Sequence, residues 1–167
     1  VSNGAGYHPS AGAAQSETDM AYKVNAVGAR KLAQSAESIQ AKLIQISTDD
    51  VFSSASDTPY NEFDDVNPVG LFAKSKYAGE KFVIQLMTRY VIIRSSWIYG
   101  IGKDFLNEIL EAAADPNVSA MELWNNDRAV PTSAAKLACV VKFFLDNDHY
   151  GTYTAVCRGG SRPLLEF

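Results

Sequence analysis

A helix that carries residues 72 and 76 places them one turn apart on the same face. Lys76 supplies an ammonium there, and a tyrosine at 72 would set a phenol beside it. A neighbouring cation acidifies a phenol, so the two together can protonate the oxygen of a carbonyl under reduction. The sequence has phenylalanine at 72, within NPVGLFAKSKYAGEKF (67–82). A benzyl ring has no proton to give. Chemistry of this kind therefore needs another donor, or the segment is a scaffold in which the chemistry has lapsed.

Two further polar groups follow apolar runs. Thr48 and Asp49 close AKLIQISTDD (41–50), and Ser95, Ser96, Trp97 and Tyr99 close YVIIRSSWIYG (90–100). A hydroxyl at a strand end can hydrogen-bond a substrate carbonyl oxygen. Trp97 can offer a flat apolar surface to a sugar or a nicotinamide ring, and Lys76 can hold ribose hydroxyls. Each residue also has a plain structural reading: Lys76 as a solvated helix lysine, Thr48 as a local cap, Trp97 and Tyr99 as core or edge aromatics, and Asn25 as a helix-surface amide.

The elements that must position these groups follow from periodicity. Residues 1–15 contain Gly4, Gly6, Pro9 and Gly12 and read as irregular. A helix is expected from about Ser16, with Ser16 and Asp19 at capping-box spacing. Residues 41–48 and 90–96 read as buried strands, rich in β-branched and apolar side chains. Residues 53–70 read as a long surface loop, 71–88 as a helix with Phe72, Gly79, Val83 and Leu86 on one side, and 104–114 as another helix. SAMELW (119–124) and GTYTAV (151–156) are expected as short strands. Thr132 is placed to cap a last helix with Ala134, Leu137, Ala138, Val141 and Leu145 inward. Alternating helices and strands predict an α/β fold with a mostly parallel sheet. Such sheets bind ligands beyond the carboxyl ends of their strands, where STDD and RSSWIYG fall.

Composition narrows the function classes. The chain has 167 residues, 47% hydrophobic and 20% charged, with a net charge of −4. That argues for one domain and against nucleic acid or an anionic membrane as partner. Apolar runs are too short for a membrane span, and the neutral, glycine-rich start does not read as a signal peptide. Cys139 and Cys157 lack metal-site spacing and read as reduced, partly buried thiols in a cytoplasmic protein. No metal is expected.

In order, KVNAVGARKLAQSA, AKLIQISTDDVF, NEFDDVNPVGLFAKSKYAGEK, YVIIRSSWIYG, VPTSAAKLA and GTYTAVCRGGSRPLLEF resemble the extended short-chain dehydrogenase/reductases, most closely their dTDP-4-dehydrorhamnose reductase branch. The resemblance runs over nearly the whole chain. It implies a Rossmann-like sheet and reduction of the 4-keto group of a nucleotide-activated deoxysugar by NADPH or NADH. Carried over residue by residue, it assigns carbonyl binding to Thr48 and the nicotinamide ribose to Lys76. It makes Phe72 the position of the missing tyrosine and sets the sugar against Trp97. Ala5, Gly6 and Tyr7 line the cofactor groove, Asn25 supports the site from its helix, and Asp49, Pro131 and Thr132 lie on the substrate side.

The departures are specific. Asp50 stands where the family pattern has an aromatic, Asn126 and Asp127 replace an Asp and a Gln, and YHPSAGAAQ (7–15) departs from the family's pattern in that block. The last block is looser as well, with Ser161 followed by Arg162 and Pro163. A glycine-rich dinucleotide turn is not found; NGAG (3–6) has two glycines but no apolar strand before it. By the resemblance, the chain begins where the first nucleotide-binding half would finish and stops where a small C-terminal region would begin a helix. The expectation is a single partial Rossmann-like domain over 1–167, with 115–167 contributing parts of the substrate-side region. It would be part of a longer protein, a shortened relative completed by a partner chain, or a sequence only partly determined. A homo-oligomer or a partner chain would cover an exposed sheet edge. The alternative function is a non-catalytic relative that binds a partner protein or a nucleotide-sugar without turnover.

Overall fold

The computed structural model describes residues 1–9, 14–53, 58–102, 104–118, 128–160 and 162–163. In chain order the elements begin with strand β1 (Ser2–Asn3) and helix α1 (Gln15–Ala21). A π-helical segment (Tyr22–Gly28) then runs directly into α2 (Ala29–Ser38). After β2 (Leu43–Thr48) comes a 3₁₀ turn (Asp49–Val51), then α3 (Leu71–Leu86), β3 (Tyr90–Ser95) and β4 (Ile98–Tyr99). The remainder is α4 (Phe105–Ala114), β5 (Arg128–Ala129), β6 (Thr132–Ser133), α5 (Ala134–Asp146), β7 (Gly151–Thr154) and β8 (Arg162–Pro163).

The main sheet has the order β1-β2-β3-β7 and is parallel throughout. Its strand side chains alternate between two cores, as a period of two requires. Leu43 and Ile92 face α2 and α3, where they meet Ala29, Ala33, Ala36, Val83 and Met87. Ile44, Val91 and Ile93 face α5 and pack on Leu137 and Phe144. Small alanines on α2 let that helix lie close, while α5 fills the opposite layer with the larger Leu137 and Phe144. Because every strand of this sheet points the same way, Thr48 and Ser95 finish side by side in register.

Four expectations need correction. Residues 1–15 are not wholly irregular: Ser2 and Asn3 pair with Ile44 and Gln45. Two residues are too few to leave a periodic signal, and the Asn3 amide donating to Gln45 Oε1 (2.8 Å) helps hold them. Ser16 caps nothing; the N-cap is Ala14, without a side-chain bond, and Asp19 instead accepts from Gln15 Nε2 at 3.0 Å. Thr132 does not cap α5 either. It lies in β6 and its hydroxyl donates to the Val130 carbonyl (3.0 Å), leaving Ser133 at the N-cap with no side-chain bond.

The last correction concerns which α5 residues point inward. Leu137 and Phe144 are buried, whereas Ala134, Ala138 and Leu145 are exposed. With Ser2, Gly4 and Ile46, Leu145 and its neighbours line a groove of about 480 Å³ beside the edge strand β1. Of the two thiols, both free, Cys157 is half-buried but Cys139 is turned outward on α5. The expected strand at 119–124 and the departures at Asn126, Asp127 and Ser161 lie outside the described residues. Among the described residues no helix is long and apolar enough to cross a membrane.

Candidate active site

The carboxyl ends of β2 and β3 open onto a cleft of about 340 Å³. Asp49, Phe72 and Trp97 line it, joined by His8, Phe52 and Tyr60. Each is delivered by a different piece of the fold. The 3₁₀ turn after β2 presents Asp49, the first turn of α3 presents Phe72, and the segment leaving β3 presents Trp97. Phe52 and Tyr60 stack almost parallel, 3° between planes and 4.8 Å between centroids, and so brace one wall.

Thr48 and Lys76 are both buried rather than lining this cleft. The Thr48 hydroxyl donates to Asp50 Oδ2 (2.8 Å) and accepts from the Asp50 amide (3.1 Å). Its cap role is therefore realised, and Asp50, the residue that departs from the family pattern, holds its proton. Lys76 is no solvated surface lysine. Its ammonium donates to the Ile46 carbonyl at 2.7 Å, and a Cβ added at Gly6 would lie 3.8 Å from Nζ. Burial pulls the Lys76 pKa down to about 8, with the Glu80 carboxylate working weakly against it.

That displacement makes a stability prediction. Between pH 8 and 10.5 the unfolded chain holds a proton that the folded lysine has released, so stability rises with pH. From pH 7 to 9 the expected rise is on the order of 1 kcal/mol. Urea unfolding of wild type and Lys76→Met at both pH values checks it: the variant should lack this increment.

Asn25 is buried inside the π-helical segment, not on a helix surface. Its Oδ1 accepts from the Tyr7 amide, and its Nδ2 donates to the Tyr7 carbonyl and to Ser75 Oγ, each at 2.8 Å. Ser75 Oγ in turn donates to the Phe72 carbonyl at 2.8 Å. One amide thus fastens the segment after β1 onto the first turns of α3. That segment carries Ala5 and Gly6, both exposed, and the half-buried Tyr7. The Tyr7 hydroxyl donates to Glu17 Oε1 (3.1 Å), and its pKa is raised, by desolvation first and then by Glu17. That makes it a poor acid.

Asp49 has its carboxyl pKa pushed up to about 6, mainly by burial and further by the Asp50 charge, against a hydrogen bond from Ser96. Pro131 and Thr132 are stitched to the Trp97 segment. The Thr132 amide donates to the Trp97 carbonyl (2.7 Å), β6 pairs with β4, and the Val130 amide donates to Ser96 Oγ (3.3 Å).

The structure thus gathers Asp49, Phe72 and Trp97 in one cleft and ties Tyr7, Asn25, Pro131 and Thr132 to its borders. Sequence reasoning missed His8, Phe52 and Tyr60 as lining residues. The His8 and Phe72 rings lie 4.4 Å apart between centroids, tilted by 34°. The one available signal was a histidine next to the tyrosine of the expected cofactor groove.

Whether these residues suit a reduced nicotinamide cofactor is testable on Lys76. Its buried ammonium has three protons, and among the described residues one is taken, by Ile46. The others suit ribose hydroxyls, and Gly6, with no side chain, leaves the approach to Nζ open.

The family model described as the RmlD substrate binding domain matches residues 1–162. The dTDP-4-dehydrorhamnose reductase of Mycobacterium tuberculosis is 35% identical over 131 residues, covering 75% of this chain and 42% of that protein. Among solved structures, a dTDP-4-dehydrorhamnose reductase from Clostridium acetobutylicum aligns with a TM-score of 0.78 at 38% identity, over 87% of this chain and 51% of that one. The Bacillus anthracis dTDP-4-dehydrorhamnose reductase, solved in complex with NADP, aligns with a TM-score of 0.80 at 34% identity, over 91% and 54%. The fold is accordingly the Rossmann-like, mostly parallel α/β fold of the extended short-chain dehydrogenase/reductases. The chain spans about half the length of the relatives it matches.

Proposed function

We propose, from the premise that this chain belongs to the RmlD substrate-binding domain family, that it carries the substrate side of an NADPH- or NADH-dependent reductase of nucleotide-activated 4-keto-deoxysugars. The observation that carries the reading is the cleft at the ends of β2 and β3, with Trp97 and Asp49 on its wall. The names and the NADP complex of the relatives support the substrate class and cofactor.

In this reading Trp97 lays its ring against the apolar face of the sugar. Asp49 accepts hydrogen bonds from sugar hydroxyls. Lys76 holds the cofactor ribose through its spare ammonium protons, and Ala5, Gly6 and Tyr7 border the groove. Asn25 keeps that border in place. Reduced nicotinamide, when bound, supplies the hydride. Thr48 can donate to the ketone oxygen once its proton leaves Asp50. The two free thiols suit a cytoplasmic, reducing compartment.

The test is titration of the natural protein with NADPH, followed by protein fluorescence, together with cofactor oxidation in the presence of dTDP-4-dehydrorhamnose. Saturable binding and oxidation are expected. Lys76→Met should weaken NADPH by roughly 10–100-fold, the worth of a hydrogen bond to a charged group. No binding of either NADPH or NADH at millimolar concentration overturns the reading. A second reading, sugar-nucleotide binding without turnover, is favoured by the Thr48 proton committed to Asp50. Sugar-nucleotide binding with no cofactor oxidation would select it.

A further inference from the structure

Reduction of a ketone leaves an alkoxide that must be protonated, and Phe72 holds the place of the usual acid without a proton. We infer that His8 is the proton donor: its imidazole lies against the Phe72 ring and lines the cleft that Asp49 and Trp97 also line. The inference rests on the reductase reading above and supplies its missing acid.

Three observations carry it. The first is position. With centroids 4.4 Å apart, the imidazole packs on the very ring whose hydroxyl is lost. The second is the tautomer. Nδ1 lies 3.2 Å from the Pro9 carbonyl oxygen. A carbonyl can only accept, so Nδ1 carries a hydrogen and Nε2 is the nitrogen that gains and loses the exchangeable proton. The third is anchoring. Tyr7, the residue before it, is bonded through both its amide and its carbonyl to the buried Asn25. The ring therefore stands on a fixed support.

The other titratable groups of the cleft are already engaged. The Asp49 carboxylate takes a hydrogen bond from Ser96, and Asp50 holds the Thr48 hydroxyl. The Tyr60 ring is stacked on Phe52 with its hydroxyl paired to Ser53 Oγ at 3.2 Å, and the phenol of Tyr7 donates to Glu17. Lys76 is buried against Ile46.

The step balances simply. As the sugar carbonyl carbon gains hydride, the C=O π pair moves to oxygen. That oxygen forms a bond to the Nε2 proton, the N–H bond breaks, and its pair stays on a now neutral imidazole, which solvent reprotonates. The ketone is reduced by two electrons, and the dihydronicotinamide is oxidised by two.

The experiment uses the natural protein, its His8→Gln and His8→Phe variants, and His8→Gln combined with Phe72→Tyr. His8→Phe keeps a ring against Phe72 and guards against a packing defect. Both single variants should lose roughly 10²–10⁴ in kcat, with KM for the sugar nucleotide within about threefold. The added tyrosine, one turn from Lys76, should restore at least about tenfold. Without cofactor, the chemical shift of the His8 imidazole resonance should move on adding dTDP-rhamnose but not dTDP. It is assigned by its loss in His8→Gln.

A kcat within about threefold of wild type in both single variants, or an unmoved resonance, overturns the donor role alone. A loss that tyrosine does not restore makes His8 structural and overturns it too. A wild type that binds neither NADPH nor NADH overturns the reductase reading, and the donor with it.

Discussion

Replacing Arg94 by methionine is expected to destabilise the protein by about 3–5 kcal/mol, the cost of leaving a buried charge without its partner. Arg94 lies near the end of β3, and its guanidinium grips Glu80 of α3 with two bonds: Nε to Oε1 at 3.2 Å and Nη2 to Oε2 at 2.8 Å. Glu80 is 0% exposed and Arg94 5%. The pair is shielded from solvent screening, and its fork geometry satisfies both carboxylate oxygens. Without the guanidinium, Glu80 still feels the Lys76 ammonium on the preceding turn, but that ammonium donates to the Ile46 carbonyl instead. The loss also reaches the cleft. The Arg94 guanidinium carbon sits 5.0 Å above the Phe52 ring, which stacks on Tyr60. Urea midpoints at constant m value measure the cost. Glu80→Met with Arg94→Leu should recover most of it, because an apolar pair of similar volume leaves no charge stranded. A single Arg94→Met variant within about 1 kcal/mol of wild type would show that the carboxylate finds water or another partner.

That ion pair also marks where sequence reasoning stops. The apolar runs that became β2 and β3 and the helical period of α3 were legible because burial on two faces and on one stripe leaves periodic patterns. They were enough to place Thr48, Asp49 and Trp97 at strand ends. Glu80 and Arg94, by contrast, are charged residues inside such patterns. Nothing local distinguishes a charge that points to solvent from one that meets its partner 14 residues away. The same holds for β1, whose two residues carry no period, and for His8, whose neighbour Phe72 is brought to it only when α3 packs. The π-helical segment was invisible for a related reason. An i→i+5 turn differs from an α-turn by one inserted residue, which side-chain spacing over seven residues does not signal.

Gly79 lets α3 lie directly against that segment, and Gly79→Ala should remove about 2–4 kcal/mol of stability although alanine is the better helix former. In mid-helix, glycine costs about 1 kcal/mol relative to alanine, so a propensity argument alone predicts a gain. The packing reverses the sign. A Cβ built on Gly79 would overlap the Asn25 main-chain carbonyl oxygen and lie 3.3 Å from Ala29 Cβ. The obstacle is backbone, which cannot rotate away as a side-chain tip can, so α3 and the π-helical segment must separate. Separation strains the Asn25 amide, whose bonds to Tyr7 and Ser75 are each worth about 1 kcal/mol. The damage should therefore be local as well as global. Hydrogen exchange at the Tyr7 amide should accelerate more than at Ile92 in the sheet core, and in the proposed reductase reading cofactor affinity should fall along with stability. Gly79→Ala with wild-type stability and unchanged Tyr7 exchange would mean that the two helices have room to spare. In that case the close approach would not be what holds the Tyr7–Asn25 junction, and with it the border of the cleft, in place.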